Sequence, residues 1–174
     1  MIFETNRLYL RELTQDDYFD LVQILQNPNV MYAYEHDFTN EDVQTWLNRQ
    51  FSRYKKYHFG LWAVILKSTN EMIGQAGLSM QPYHDDEILE IGYLFKEEFW
   101  HQGYASEVAQ ACKNYAFSQL KAKKVFAIIK SDNVSSIAVA KRIGMKKVDE
   151  FNVRYYNDER LHYLYAVENL CNLI

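Results

Sequence analysis

Residues 87–120, EILEIGYLFKEEFWHQGYASEVAQACKNYAFSQL, set an apolar run, a turn of small residues and a long amphipathic pattern in immediate succession. This reads as a strand, a tight junction and a helix. The junction is Trp100-His101-Gln102-Gly103-Tyr104-Ala105. Small residues that open a helix leave backbone N–H groups free at its positive end, which makes a ready cradle for phosphate. Any fold proposed for the chain must keep this strand inside a sheet and this helix end open.

The rest of the chain fits around that unit. Residues 7–13 alternate as a strand, and Thr14 opens a helix that Asn27-Pro28 stops. A second helix begins at Thr39 or Asn40 and carries Val43, Trp46, Leu47 and Phe51 at helical spacing. Residues 59–66 and 72–80 read as strands around a turn at 67–70, and Gly74 and Gly77 signal a close backbone approach or a bulge. Residues 81–86 read as a polar loop before the strand at 87–95. After the long helix, residues 123–130 read as a buried strand and 133–143 as a helix ending at Gly144. Residues 145–154 and 160–168 read as a hairpin turning at Asn157-Asp158. Three hairpin-length strands followed by a βαβ-like crossover imply an α+β fold. Its mixed central sheet has about seven strands and helices on both faces. A chain of 174 residues with 2 prolines and 6 glycines leaves little room for a linker, so one domain over 1–174 is expected.

Net charge is −4, which argues against wholesale binding to a nucleic-acid backbone and fits a cationic substrate. Cys112 and Cys171 form no metal-type pair, and Cys112 falls on the apolar face of the long helix as a buried thiol. No metal site, signal peptide or membrane-length apolar run is read, which implies a cytoplasmic protein without a membrane partner. The aromatic loop at 31–38, with Tyr32, Tyr34 and Glu35, reads equally as core packing or as the wall of an acceptor pocket.

Several stretches together resemble one family. Residues 5–11, TNRLYLR, are similar to the first strand of a branch of the GNAT superfamily of N-acetyltransferases. Residues 70–78, NEMIGQAGL, resemble its glycine-bearing hairpin, and Glu90-Ile91-Gly92-Tyr93 with residues 100–105 resemble its coenzyme-binding core. Residues 133–136 through 143–145 resemble its following helix. The branch is the one containing the ribosomal-protein N-terminal acetyltransferases, of RimJ/RimL type. The likeness runs through nearly the whole chain in order.

That resemblance implies an acetyl-CoA-dependent N-acetyltransferase. Backbone N–H groups around His101, Gln102, Gly103, Tyr104, Ala105 and Ser106 would hold the pyrophosphate of coenzyme A. Tyr93, Leu94 and Phe95 would lie along the pantetheine arm, and an N–H near Leu94 would polarise the thioester carbonyl. His101 departs from the branch, which usually has glycine there. Glu90 is the expected general base, with Glu35 in reserve. The tyrosine that many members use as acid is replaced here by Ala140. Ser136 takes that role or satisfies local backbone, and Asn133 orients the pantetheine or caps the helix. The expected acceptor is a peptide or protein N-terminal α-amine, and Tyr32, Tyr34 and Glu35 are its expected contacts. A small amine (a polyamine or an amine-bearing antibiotic) is the alternative, and a non-catalytic acyl-CoA-binding module is a third reading. The resemblance is compatible with a monomer or a homodimer.

Overall fold

The computed structural model describes residues 1–155 and 158–170. One sheet of eight strands organises them, in the order β1-β2-β3-β4-β5-β6-β8-β7. The strands are β1 (Phe3–Glu4), β2 (Leu8–Arg11), β3 (Leu61–Leu66), β4 (Glu71–Tyr83), β5 (Asp86–Phe95), β6 (Lys124–Lys130), β7 (Lys146–Tyr155) and β8 (Asp158–Glu168). Neighbours pair antiparallel except β5 and β6, which run parallel. The helices are α1 (Tyr18–Leu25), α2 (Pro28–Met31), α3 (Asn40–Tyr57), α4 (Tyr104–Ser118) and α5 (Val134–Arg142).

The α+β reading with a mixed sheet holds. The eighth strand, β1, is two residues long and too short to show a period-two pattern.

Strand parity tells the two faces apart. Trp46 of α3 donates from Nε1 to Oε1 of Gln75 on β4 at 3.0 Å, so α3 covers the face carrying Gln75 and Ser79. Trp62 of β3 lies opposite Ala76 and packs its ring 5.3 Å from Tyr115 of α4, so α4 covers the other face. Thr39 fixes the start of α3 through a capping box: its hydroxyl accepts from the Asp42 N–H at 3.2 Å, and its own N–H donates to Asp42 at 2.8 Å.

The expected close approach occurs at both glycines: an added Cβ would sit 2.0 Å from the Gly60 carbonyl oxygen at Gly77 and 2.6 Å from the Leu94 carbonyl oxygen at Gly74. A bulge also occurs: Val64 pairs with Gly74 and Ile65 with Met72, so Ile73, beside Gly74, is the extra residue on β4.

Two local expectations change. The polar stretch 81–86 is largely strand, because β4 and β5 continue to Tyr83 and from Asp86 around a turn with His84 at φ 52°. The Tyr83 hydroxyl donates to Asp149, and its ring lies 5.5 Å from Phe151, so the polar hairpin tip is held by β7. Pro28 does more than stop α1. It opens α2, with the Asn27 side chain accepting from the Asn29 N–H at 2.9 Å. The expected hairpin turn includes Asn157, which lies outside the described residues, as does Cys171. Cys112 is fully buried, and burial pushes its thiol pKa up. Among the described residues no helix is long and apolar enough to cross a membrane.

Candidate active site

Gly103 caps α4 with φ 82°, in the left-handed region that glycine enters without a Cβ penalty. His101 also lies there, at φ 60°, with its side chain exposed. The side chain of His101 therefore carries a strain that glycine would not. Among the described residues, no N–H from 101 to 106 donates to a protein acceptor. Six adjacent amides without acceptors at the positive end of a 15-residue helix are what a diphosphate needs.

Two arginines frame this turn, and sequence reading missed both. Arg142, in the last turn of α5, donates from Nη1 to the Ser106 hydroxyl at 2.7 Å. Arg7 lies behind the turn. Its Nη1 donates to the Gln102 carbonyl at 2.9 Å, and its guanidinium carbon sits 4.3 Å from the centre of the Tyr104 ring. Glu107 holds Arg7, accepting from Arg7 Nε at 2.7 Å, from its backbone N–H at 3.0 Å and from the Thr5 hydroxyl at 2.6 Å.

Beside the turn, the sheet opens. β5 pairs with β4 through to Phe95, but with β6 only at Glu90–Phe126. In an antiparallel ladder alternate residues turn their N–H and C=O to the same edge. The Lys96 N–H donates to the Ile73 carbonyl at 2.9 Å, which assigns the even-numbered residues to the β4 edge. Leu94 is thus turned to Gln75, and the amides of Tyr93 and Phe95 face the opening. The Trp100 Nε1–H reaches the Phe95 carbonyl from that side at 3.0 Å. The N–H expected near Leu94 therefore moves to Tyr93 or Phe95, a one-residue register that alternation in the sequence does not fix.

Glu90 sits where the opening begins. Its Oε1 accepts from the Ile128 N–H and its Oε2 from the Ser79 hydroxyl, both at 3.4 Å. Gln81 donates to that hydroxyl at 3.0 Å. The carboxylate faces the α3 side of the sheet. It lies deep among protein atoms and is half-open to the cleft. Burial is the main cause that raises its pKa, to about 7, with the Ile128, Gln81 and Ser79 contacts and Arg53 opposing. Tyr93 has the opposite parity and faces α4 and α5. Burial raises its phenol to about 12 against a hydrogen bond with Ser136. Asn133 accepts the Ser136 N–H at 3.1 Å and so caps α5. At the position of the missing tyrosine, Ala140 presents only a methyl group to the cleft.

On the acceptor side, Tyr32 and Tyr34 line the cleft. Tyr34 also packs 5.9 Å from the Trp46 ring, so packing and pocket wall are one role there. Glu35 is committed elsewhere. It pairs with Arg160 at 2.8 Å and Lys130 at 3.1 Å, and these two contacts, Arg160 first, hold its pKa below the usual carboxylate value. A carboxylate so engaged is a poor base, and its place is to tie the 31–38 loop to β6 and β8.

These parts share one cleft of about 1290 Å³. Its lining comes from both faces of the sheet, with Ser79, Glu90 and Arg53 on one and Tyr93, Ser136 and Ala109 on the other. The expected fit to a cationic substrate is not matched by this lining, whose charged members are Arg49, Arg53, Lys130, Arg142 and Arg154 against Glu90. Among the described residues no group of three or more His, Cys, Asp or Glu is placed to hold a metal ion.

Residues 7–146 match the model of the acetyltransferase (GNAT) domain family. The chain is 36% identical over 142 residues to the uncharacterized protein YkkB of Bacillus subtilis (strain 168), covering 81% of this chain and 83% of that one. It is 31% identical over 148 residues to the uncharacterized N-acetyltransferase YnaD of the same organism, covering 84% of each. The structure superposes on an acetyltransferase of the GNAT family from Bacillus anthracis with a TM-score of 0.81 and 27% identity, covering 95% and 96% of the two chains.

Proposed function

Because the chain belongs to the GNAT acetyltransferase family, and is thus an acetyl-CoA-dependent N-acetyltransferase, we propose that its acceptor is the N-terminal α-amine of a peptide or protein. One observation carries the catalytic reading: the half-open Glu90 carboxylate and the acceptor-free amides at the start of α4 look into the same cleft through the same gap in the sheet.

In this reading the amides of 101–106 and Arg142 hold the pyrophosphate end, and the open edge of β5 beside Tyr93, Leu94 and Phe95 receives the pantetheine arm. Bound there, acetyl-CoA supplies a thioester whose acetyl carbon takes the amine nitrogen and whose sulfur leaves as the thiol. The N–H of Tyr93 or Phe95 is the donor that faces the developing oxyanion. Glu90 takes the proton that the amine gives up. A carboxylate of pKa about 7 suits an α-amine, whose own pKa of about 8 asks less of a base than the ~10.4 of lysine. Ser136, held by the Asn133 cap and by its contact with Tyr93, relays a proton to the departing sulfur and takes one from solvent in exchange.

The proposal includes the finer placement in the RimJ/RimL-type branch, a single catalytic domain over 1–174, and work in the cytoplasm as a monomer or homodimer. The test is release of free thiol from acetyl-CoA over a panel of peptides, polyamines and aminoglycosides, with mass spectrometry of the products. Acetylation of peptide α-amines is expected. Products confined to polyamines or aminoglycosides would replace the acceptor class, and tight acetyl-CoA binding without turnover would favour a binding module.

A further inference from the structure

The positive lining of the cleft divides into groups that are answered and groups that are not. Lys130 is answered by Glu35 at 3.1 Å and Asp132 at 3.4 Å. Arg142 stands beside Ser106 at the phosphate end. Arg154 lies opposite Glu159 in the β7–β8 ladder. Arg49 and Arg53 remain without an ion pair among the described residues, although the Glu90 charge acts on Arg53 from a distance. They sit one turn apart on the face of α3 that carries Trp46, and both line the cleft.

Among the described residues neither has a carboxylate within ion-pair distance. Arg49 lies 6.0 Å from the Trp46 ring centre, and Arg53 donates from Nη1 to Gln50 Oε1 at 3.4 Å. Both are on the Glu90 side of the sheet, which is the acceptor's side. Two like charges one helical turn apart destabilise each other, and partial burial of one adds a desolvation cost. Burial first, and Arg49 second, hold the Arg53 pKa below the usual arginine value. A ligand anion would relieve both costs.

We propose that Arg49 and Arg53 form a carboxylate-binding subsite, so that the preferred acceptor is an α-amine whose own molecule carries a carboxylate close by. The carboxylate is an acidic side chain just after the N-terminal residue of a peptide, or the α-carboxylate of a free amino acid. The guanidinium forks suit a carboxylate geometrically. The same positive field lowers the pKa of a bound amine and opposes a polyamine. A smaller cavity of about 290 Å³ adjoins the cleft and shares Tyr34, Trp46 and Arg49; Asp42 also lines it, so the ligand carboxylate belongs on the cleft side of Arg49, beside Arg53. This inference rests on the acceptor class proposed above.

The experiment compares C-terminally amidated peptides that begin Ser-Asp, Ser-Asn and Ser-Lys, together with free serine, serine amide and spermidine. Initial rates are read with acetyl-CoA, and equilibrium binding is read separately by tryptophan fluorescence. The wild type should favour Ser-Asp over Ser-Asn by about tenfold, chiefly in KM, as two charge-assisted hydrogen bonds allow. A preference for free serine over its amide would instead mark the α-carboxylate as the partner. Arg49→Gln should erase the preference and Arg49→Glu should turn it toward Ser-Lys, with thermal melts confirming that both variants fold. Equal treatment of acidic and neutral acceptors in rate and binding would overturn the subsite, as would a preference for spermidine. If no amine is acetylated but acidic peptides still bind preferentially, the subsite stands and the catalytic reading fails.

Discussion

Replacing Glu90 by Gln tests the catalytic reading through two quantities that move in opposite directions. The substitution keeps the shape and the acceptor for the Ile128 N–H, but removes the base. With a pKa of about 7, the carboxylate is about one-tenth ionised at pH 6 and about nine-tenths at pH 8. Two groups must then be deprotonated for turnover, Glu90 and the amine, so log kcat/KM should rise with a slope approaching two below pH 7. In Glu90→Gln only the amine titrates, the slope falls to about one, and the rate at pH 8 drops by a factor of about 10²–10⁴. Stability responds in the other sense. The folded-state pKa lies above the ordinary 4.5, so between roughly pH 4.5 and 7 the folded state binds more protons and stability falls as pH rises. At about 1.4 kcal/mol per tenfold change in proton affinity the cost at pH 8 is at most about 3 kcal/mol, and nearer 1–2 for a group open to the cleft. Glu90→Gln should therefore melt higher than the wild type at pH 8 and equally at pH 4. Assays are initial rates from pH 5.5 to 9 and thermal melts over the same range. An unchanged slope removes Glu90 as the base, and an unchanged melting difference across pH removes its raised pKa.

Three further perturbations probe other parts of the site. Glu107→Ala deletes the three hydrogen bonds that hold Arg7 and Thr5 behind the phosphate turn, so KM for acetyl-CoA should rise about five- to tenfold with a smaller change in kcat, and stability should fall by about 1–3 kcal/mol; an unaltered acetyl-CoA KM would show that the strap is not needed. Ser136→Ala should lower kcat about tenfold and leave acetyl-CoA KM within about twofold, a modest loss because a thiol of pKa about 8.5 is already a good leaving group; an unaffected kcat returns Ser136 to the helix start. Gly77→Ala drives a Cβ to 2.0 Å from the Gly60 carbonyl oxygen and should cost about 3 kcal/mol or more in a denaturant titration, without a change in acetyl-CoA KM for the folded fraction.

The parts legible in the sequence are those that local chemistry dictates. The open turn follows from Gly103 and Ala105 before an amphipathic run, and the polar character of β5 at position 90 stands out between Leu89 and Ile91. Long-range partners leave no comparable trace. Arg7 and Glu107 are 100 residues apart, and neither looks unlike any other surface charge. Arg49 and Arg53 read as the solvated side of an amphipathic helix, because the sequence does not show which part of that side turns into a cleft. The net charge of −4 does not report on the cleft for the same reason: it sums the whole surface, whereas a ligand meets only the lining. The partners of Glu35, the expected reserve base, are not legible because Lys130 and Arg160 come from strands far along the chain.

Parity along β5 explains why the chemistry lies at this strand and not elsewhere in the sheet. Glu90 and Tyr93 are three residues apart and so point to opposite faces, toward α3 and toward α4 and α5. In a continuous sheet the backbone ladder would separate them. Here β6 leaves β5 immediately after Glu90, and the Ile128 N–H that this departure frees is taken up by the Glu90 carboxylate itself. The Glu90 carboxylate thus satisfies an N–H on the edge that β6 exposes. Beyond it, the free edge at Tyr93 and Phe95 is open to a ligand that must reach from the phosphate turn on one face to the amine on the other. Filling the gap by pairing β5 with β6 as far as Phe95 would restore a regular sheet and close the passage between Glu90 and the start of α4. On that account the splay, more than any single side chain, is what the acetyl transfer requires of this fold.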